Sequence, residues 1–275
     1  MPELPEVETI RRQLSKEIVG RRVSSVDVFF AKRLNVSTKK FIGEVSGRRV
    51  RDVRRRAKVL LIDLSGGLTM AVHLKMTGRL LFTKKADAPT KHTHLVFGLS
   101  GGRRLMFEDV RKFGWVRLFE TATIEDSLIG PMGLGPEPFD DAFTPESLAK
   151  CLSSRGNSRI KPLIMSQRCV VGSGNIYTDE ALWKARIRPD RKAGTLTRQE
   201  TNRLHAEIRS VLKEAIKRRG SSVDDYVDAY GRPGTYETKH EAYGRGGEKC
   251  ARCGGLIRKI RLGGRGTHYC PKCQK

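Results

Sequence analysis

Apolar residues recur at Val7, Ile10, Leu14 and Ile18, and Arg11, Arg12 and Lys16 fall between them. Spacings of three and four put the apolar set on one face of an amphipathic helix. Pro2 or Pro5 stands near its first turn, and Gly20 marks its end. The period then shortens. β-rich stretches follow at 23–30, 59–64, 68–74, 80–83, 94–99, 104–107 and 114–119. Glycine pairs separate several of them, notably Ser65-Gly66-Gly67 and Ser100-Gly101-Gly102. Many short strands punctuated by turn signals predict a β-sandwich or barrel.

The Gly/Pro-rich stretch 130–138 reads as a linker, and beyond it the pattern is helical. Thr144-Pro145-Glu146 opens one helix, and Asn175 is a candidate N-cap for another. Thr197 with Glu200 forms a capping box for a long helix that stops at Gly220. The segment 221–243 is polar and Gly-containing, and is expected to include a mobile loop. No internal repeat or low-complexity tract is visible.

A chain of 275 residues is long enough for two domains with a small appended module. A hydrophobic content of 38% supports a packed core and argues against global disorder. The formal net charge is +24 and the pI about 10.2, an excess that favours a nucleic-acid partner. No apolar run approaches a membrane span. The N-terminus, MPELPEVET, lacks the basic and apolar regions of a secretory signal, so a cytoplasmic setting is expected.

The last forty residues hold two Cys-x₂-Cys pairs, Cys250/Cys253 and Cys270/Cys273, sixteen residues apart. Four thiolates in two knuckles make a tetrahedral site for one Zn²⁺, and four Cys ligands leave no open position for water, so the metal is structural. The spacer suits a β-hairpin carrying Arg258, Lys259, Arg261 and Arg265. Residues 236–275 contain ten Lys/Arg against three Asp/Glu, which points the finger at DNA or RNA. In a reducing compartment these cysteines read as a metal site and not as disulfides. Cys151 and Cys169 stand apart and read as isolated thiols.

Met1-Pro2-Glu3-Leu4-Pro5-Glu6 admits two readings. Proline and acidic residues suit a helix start, and taken alone that accounts for them. The other reading depends on removal of Met1. Pro2 then exposes a secondary amine, a group with a pKa of roughly 8 and a useful neutral fraction at pH 7. Such an amine can attack a sugar carbon and form an iminium, with Glu3 moving protons and Glu6 orienting the site. With Met1 retained, the Pro2 nitrogen is a tertiary amide and no nucleophile.

The N-terminal nonamer, Arg111-Lys112-Phe113-Gly114, Gly172-x-Gly174-Asn175-Ile176-Tyr177 and the finger motif Gly264-Arg265-Gly266-Thr267-His268-Tyr269-Cys270-Pro271 occur in this order. Together they resemble bacterial formamidopyrimidine-DNA glycosylases across essentially the whole chain. The resemblance implies an α+β multidomain fold: an N-terminal β-sandwich with an N-terminal helix (1–133), a helical helix-two-turn-helix domain (134–235) and a C-terminal four-cysteine zinc finger (236–275). It implies a monomer that acts on damaged double-stranded DNA, removes oxidised purines and cuts the strand by β,δ-elimination.

By the same resemblance Pro2 is the Schiff-base nucleophile, Glu3 the acid/base, Glu6 a supporting carboxylate and Lys58 a contact to the phosphate of the damaged nucleotide. Asn175 and Arg265 match residues that bind backbone phosphate. A guanidinium suits that task by its bidentate geometry. Base flipping leaves a gap in the stack, and Met76, Arg111 and Phe113 match the residues that fill it. The segment 221–236 corresponds to a lesion-capping loop. Two departures stand out. Many family members read Lys-His-Asp-His where Lys91-His92-Thr93-His94 stands here, and Leu-Leu-Asp-Gln where Ile164-Met165-Ser166-Gln167 stands here. His92 and His94 lack the further ligands a metal needs.

Three other readings remain open at this point. The endonuclease VIII branch shares the fold and prefers oxidised pyrimidines, although Leu4 and Arg-Lys-Phe-Gly favour the purine branch. A catalytically silent damage-binding protein would bind DNA without cutting it. A zinc-ribbon protein of ribosomal or transcriptional type would explain the finger but not the N-terminus.

Overall fold

Helix α1 (Leu4–Ile18) forms where the apolar spacing places it, with Val7, Ile10, Leu14 and Ile18 buried. Glu3 is its N-cap. Glu3 and Glu6 close a capping box in which each carboxylate accepts from the other's backbone N–H. The computed structural model describes residues 1–84, 87–223 and 225–275. Two units emerge, Met1–Met132 with Arg218–Thr235, and Gly133–Lys217 with Tyr236–Lys275.

In the first unit, β1 (Val23–Val28), α2 (Thr38–Val45), β2 (Val50–Arg56), β3 (Val59–Leu64), β4 (Leu68–His73), β5 (Gly78–Lys84), β6 (Thr93–Leu99), β7 (Arg103–Asp109) and β8 (Trp115–Glu120) follow α1. They make two four-stranded antiparallel sheets, ordered β1-β6-β7-β5 and β2-β3-β4-β8. The central strands β3 and β4 are buried almost throughout, whereas the edge strand β2 buries only Val50 and Val53. One apolar core takes Leu14 from α1, Phe41 from α2, Leu60 and Val72 from one sheet, and Phe97 and Phe107 from the other. The sandwich expectation holds. The pattern passed over α2 and β2, which show too few apolar residues to reveal a period.

Residues of 218–235 join this core through Tyr226 and Ala229. The polar stretch is therefore tied down among its described residues. The Gln13 side chain of α1 donates to Asp228 and accepts from Ala229 N–H, and Phe82 N–H of β5 donates to the Ala229 carbonyl at 2.7 Å. Asp224 lies outside the described residues.

In the second unit, α3 (Pro145–Ser154), α4 (Ile160–Met165), α5 (Asn175–Ala185) and α6 (Arg198–Lys217) share a core of Leu148, Leu152, Ile164, Tyr177, Leu204 and Val211 among others. Thr144 caps α3, and the Thr197/Glu200 box forms at the head of α6. Asn175 is the first residue of α5 and Gly174 the cap, one position off the sequence expectation. The unit ends in a hairpin of β9 (Arg258–Leu262) and β10 (Arg265–Tyr269), turned by Gly263 and Gly264. Both glycines have positive φ, 56° and 75°, as a two-residue hairpin turn requires.

Cys151 and Cys169 correct the sequence reading. They form a disulfide within the second unit, with Cα atoms 5.4 Å apart. The two positions are 18 apart along the chain, and nothing in that spacing reveals the pairing. The fold creates it by packing α3 beside the segment that follows α4. Among the described residues no helix is long and apolar enough to cross a membrane.

Candidate active site, DNA interface and metal centre

Pro2 is buried at the head of α1, beside Glu3 and Glu6, each only 2% exposed. Glu3 N–H donates to Glu6 Oε2 at 2.7 Å, and Ser221 N–H donates to Glu6 Oε1 at 2.9 Å. Both Glu6 oxygens are thus engaged by backbone amides, which fixes the carboxylate in place. Gly220 sits so close that a Cβ there would lie 2.5 Å from Glu6 Oε1. Tyr226 O–H reaches the Glu6 carbonyl at 3.4 Å. Burial, then the charges of Glu6 and Asp228, push the Tyr226 phenol well above its usual range, so it stays a neutral donor.

Lys58 and Ala57 are the two turn residues between β2 and β3, where Arg56 pairs with Val59. Arg55 ties this turn to α1. Its guanidinium bridges Glu8 at 3.1 Å and the Ala57 carbonyl at 2.8 Å. Burial alone would raise the Glu8 carboxyl, but hydrogen bonds from Arg11 and Arg12 and the Arg55 charge hold it below its ordinary value. Lys58 is buried, and its charge is felt by His73 on β4. Burial first, then Lys75 and Lys58, push His73 down to about 3. His73 is therefore a neutral imidazole whose Nδ1 accepts from Lys75 N–H at 3.0 Å.

Met76 lies half-buried in the turn between β4 and β5, while Arg111 and Phe113 project from the turn between β7 and β8. Phe113 is 44% exposed, and the Arg111 guanidinium stacks 5.0 Å from its ring centre. An exposed aromatic under a cation is poorly explained as core packing. Asp109 organises these two turns and was not singled out from the sequence. Wholly buried, it accepts from the Thr77 hydroxyl, from Arg111 N–H at 3.2 Å and from Gly114 N–H at 2.6 Å. The available signal was an Asp at the start of a Gly-containing turn, a common side-chain-to-backbone acceptor.

His94 is packed between Phe30 and Phe107, and burial lowers its pKa, with no metal ligand set around it among the described residues. The two departures are locally satisfied. Thr93 donates to Glu108 at 3.1 Å, and Ser166 donates to the Leu163 carbonyl at 2.7 Å.

Asn175 and Arg265 belong to the second unit. The turn before Asn175 is shaped by Gln167, which accepts from Gly172 N–H and donates to the Ser173 carbonyl, both at 2.6 Å. Gly172 has φ 95°, a value that favours glycine. Arg265 opens β10 and is exposed. A buried network connects the elements that carry the two residues. Lys161 of α4 lies 2.6 Å from Asp179 of α5 and donates to Gly266 and Thr267 of β10, while His268 N–H donates to Asp179 at 2.9 Å. Lys161 and Asp179 are wholly buried, so each needs the other, and loss of either would leave a buried charge.

The sulfurs of Cys250, Cys253, Cys270 and Cys273 lie within 4.8 Å of one another, and Cys253 Sγ is 3.5 Å from Cys270 Sγ. Tetrahedral Zn–S bonds of about 2.3 Å place sulfurs roughly 3.8 Å apart, so the set fits one Zn²⁺. Without a cation, burial and the neighbouring sulfurs push Cys273 up to about 12. A bound Zn²⁺ supplies the charge that keeps such a cluster deprotonated. Trp183 packs against Cys250 and Cys270, and Arg252 stacks 4.1 Å over its ring, fixing the finger to α5.

A buried N-terminal carboxylate pair, an exposed aromatic stacked by an arginine, and a zinc-stapled basic hairpin define a nucleic-acid-processing enzyme. Three family models match: "Formamidopyrimidine-DNA glycosylase N-terminal domain" over residues 1–116, its "H2TH domain" over 134–227, and "Zinc finger found in FPG and IleRS" over 247–275. A formamidopyrimidine-DNA glycosylase of Pelotomaculum thermopropionicum is 46% identical over 100% of this chain and 99% of its own. The structure of a Lactococcus lactis FPG mutant with a Fapy-dG containing DNA matches with TM-score 0.94 and 35% identity, covering 100% of both chains. The wild-type Lactococcus lactis FPG with an oxidised-pyrimidine containing DNA matches with TM-score 0.93, 35% identity and the same coverage. The chain belongs to the formamidopyrimidine-DNA glycosylase family, whose members are DNA glycosylases with AP lyase activity.

Proposed function

We propose that the chain is a bifunctional DNA glycosylase/AP lyase of base excision repair. It excises 8-oxoguanine and formamidopyrimidines from damaged duplex DNA. The observation that carries this reading is the buried Pro2-Glu3-Glu6 set at the head of α1, with Glu6 gripped by Glu3 and Ser221 amides. Loss of Met1 frees the Pro2 nitrogen. It attacks the sugar C1′, the glycosidic bond breaks, and Glu3 delivers a proton to the departing base. The C1′–O4′ bond then breaks, O4′ takes up a proton, and C1′ becomes the carbon of an iminium with the Pro2 nitrogen. That cation acidifies the C2′ hydrogens, so a C2′ proton is lost and the 3′ phosphate leaves by β-elimination; the conjugated iminium then acidifies C4′, whose proton is lost as the 5′ phosphate leaves by δ-elimination. Glu6 holds the N-terminus in place.

Lys58 binds the phosphate of the damaged nucleotide. Met76, Arg111 and Phe113 fill the vacated stack, and Asn175 and Arg265 hold backbone phosphates. The functional modules are residues 1–133, 134–235 and 236–275, with Zn²⁺ confined to supporting the last. The enzyme works as a monomer in the bacterial cytoplasm, at the nucleoid.

Borohydride reduction during reaction with an 8-oxoguanine duplex should give a covalent adduct on Pro2 of the Met1-free protein. Undiminished cleavage after Pro2→Gly and Glu3→Gln would refute the mechanism. A second reading, preference for oxidised pyrimidines, draws support from the 35%-identical neighbour in complex with such DNA. Parallel rates on 8-oxoguanine and thymine glycol duplexes decide between them.

A further inference from the structure

Leu148 and Leu152 bury α3 in the helical core, and the Cys151–Cys169 bond adds a covalent link to it. Its position suggests another use. Cys169 lies two residues after Gln167, whose side chain shapes the turn 172–174 that leads into Asn175. Beyond Cys169, Val171 N–H donates to the Pro136 carbonyl at 3.0 Å. The segment between Gln167 and Asn175 has no regular secondary structure; beside these ties, Gly135 N–H donates to the Gln167 carbonyl at 2.8 Å, and Cys169 and Val170 pack into the helical core. The disulfide is the one covalent tie among them. It anchors the turn to α3.

We propose that Cys151 and Cys169 are a redox-controlled positioning pair, whose oxidation fixes the phosphate-binding turn before Asn175 and strengthens DNA binding. This rests on the reading of Asn175 as a phosphate contact. The two thiols are unequal. Cys151 is partly exposed, with an Arg155 guanidinium nitrogen 3.7 Å from its sulfur, whereas Cys169 is 1% exposed. The partly exposed Cys151 sulfur is the one a dissolved peroxide can reach. Cys151 is thus the site of attack on a peroxide and Cys169 the resolving thiol.

The Cys151 thiolate attacks one peroxide oxygen, the O–O bond breaks, and a sulfenic acid forms as hydroxide leaves and takes a proton to become water. The Cys169 sulfur then attacks the sulfenic sulfur. The S–S bond forms, the S–O bond breaks, and the oxygen leaves as water with the Cys169 proton. Two thiols lose two electrons, and one peroxide becomes two waters. Peroxide chemistry also oxidises purines. The turn would therefore tighten under the conditions that produce the enzyme's substrates, and a dithiol reductant would release it.

The test uses the full-length zinc-loaded protein and a duplex with an uncleavable tetrahydrofuran abasic site. Binding is measured across a salt series after mild peroxide or dithiothreitol treatment, with zinc content checked at one per chain. The oxidised form should bind about three- to tenfold more tightly, within the range by which such positioning contacts act. Its log Kd against log salt should be steeper by about 0.9, the signature of one more phosphate contact, which a change in stability alone would not produce. A Cys151→Ser/Cys169→Ser variant should behave like reduced protein under both treatments. Equal affinity and slope in the two redox states, or the absence of a 151–169 cross-linked peptide after peroxide, overturns the proposal. Asn175→Ala separates the causes. If it weakens binding while redox state does not, the redox proposal alone fails. If neither has any effect, the phosphate reading of Asn175 fails with it.

Discussion

Gly220→Ala should damage catalysis far more than the same change does at a left-handed glycine with open space around it. Gly220 has φ +81°, and its Cβ would lie 2.5 Å from Glu6 Oε1, 2.8 Å from Cγ and 2.9 Å from Cδ. Ordinary contact needs about 3.4 Å, so either the Glu6 carboxylate or the backbone at Gly220 must move by roughly 1 Å. Glu6 is held by hydrogen bonds from Glu3 N–H and Ser221 N–H, and Ser221 adjoins the altered residue. Under the proposed mechanism Glu6 orients Pro2, so a shift of that size should lower the single-turnover rate on an 8-oxoguanine duplex about 100-fold. Left-handed backbone strain costs about 1–2 kcal/mol, and two weakened hydrogen bonds add about 1 kcal/mol each. Gly231 provides the control. Its φ is +77°, and a Cβ there meets nothing within 4 Å. Gly231→Ala carries the backbone strain without the collision, so it should lose about 1–2 kcal/mol and little activity. Rates are read at saturating enzyme, alongside urea denaturation and binding to tetrahydrofuran duplex. Equal cleavage by the two variants would refute the argument that Glu6 placement limits the reaction.

Three further outcomes follow from the same geometry. His73 titrates near 3 when folded and near 6.5 when unfolded, so the unfolded chain binds the extra proton between those values and stability falls as pH drops through that window. The loss between pH 7 and pH 5 should be about 2 kcal/mol, and urea midpoints for wild type and His73→Gln at both pH values check it, with that portion of the pH dependence missing from the variant. Asp109→Ala leaves Arg111 and Gly114 amides without their acceptor, so it should destabilise the first unit by about 2–4 kcal/mol and weaken binding to lesion duplex more than to undamaged duplex, as paired binding titrations would reveal. Cys270→Ser should release Zn²⁺ and reduce DNA affinity at least ~100-fold, whereas Glu3→Gln should bind within ~3-fold of wild type and fail to cut; metal analysis with gel-shift titration distinguishes them.

What the sequence reveals depends on whether a residue's role is local. Helix α1 was legible because Val7, Ile10, Leu14 and Ile18 repeat at one period and all enter the core. Strands β3 and β4 were legible as dense apolar runs. Strand β2 was not. Five of its seven residues are charged, and its two buried positions, Val50 and Val53, are three apart because the register shifts between Val50 and Asp52. The four zinc cysteines announce themselves by knuckle spacing, while the Cys151–Cys169 bond depends on how α3 packs and has no local signature. Asp109 and Gly220 were missed for a similar reason. One receives donors from two separate turns, and the other matters through a side chain more than two hundred positions away in the chain.

The two readings of the N-terminus turn out not to compete. Glu3 and Glu6 cap α1, and under the proposed mechanism the same carboxylates flank the nucleophile. The overlap has a physical logic. A helix start presents unpaired amides and a positive potential, which hold carboxylates rigidly and disfavour an extra proton on a nearby amine. The capping carboxylates act oppositely on that amine, so its neutral fraction depends on how fully their charge is absorbed by backbone donors. Glu6 has both oxygens so engaged. Removing Glu6 would therefore alter the cap and the amine together, and a lost rate could not be assigned to either. Glu3→Gln is the more informative change. The amide oxygen of Gln can still accept the Glu6 N–H of the capping box, while the group can no longer deliver a proton.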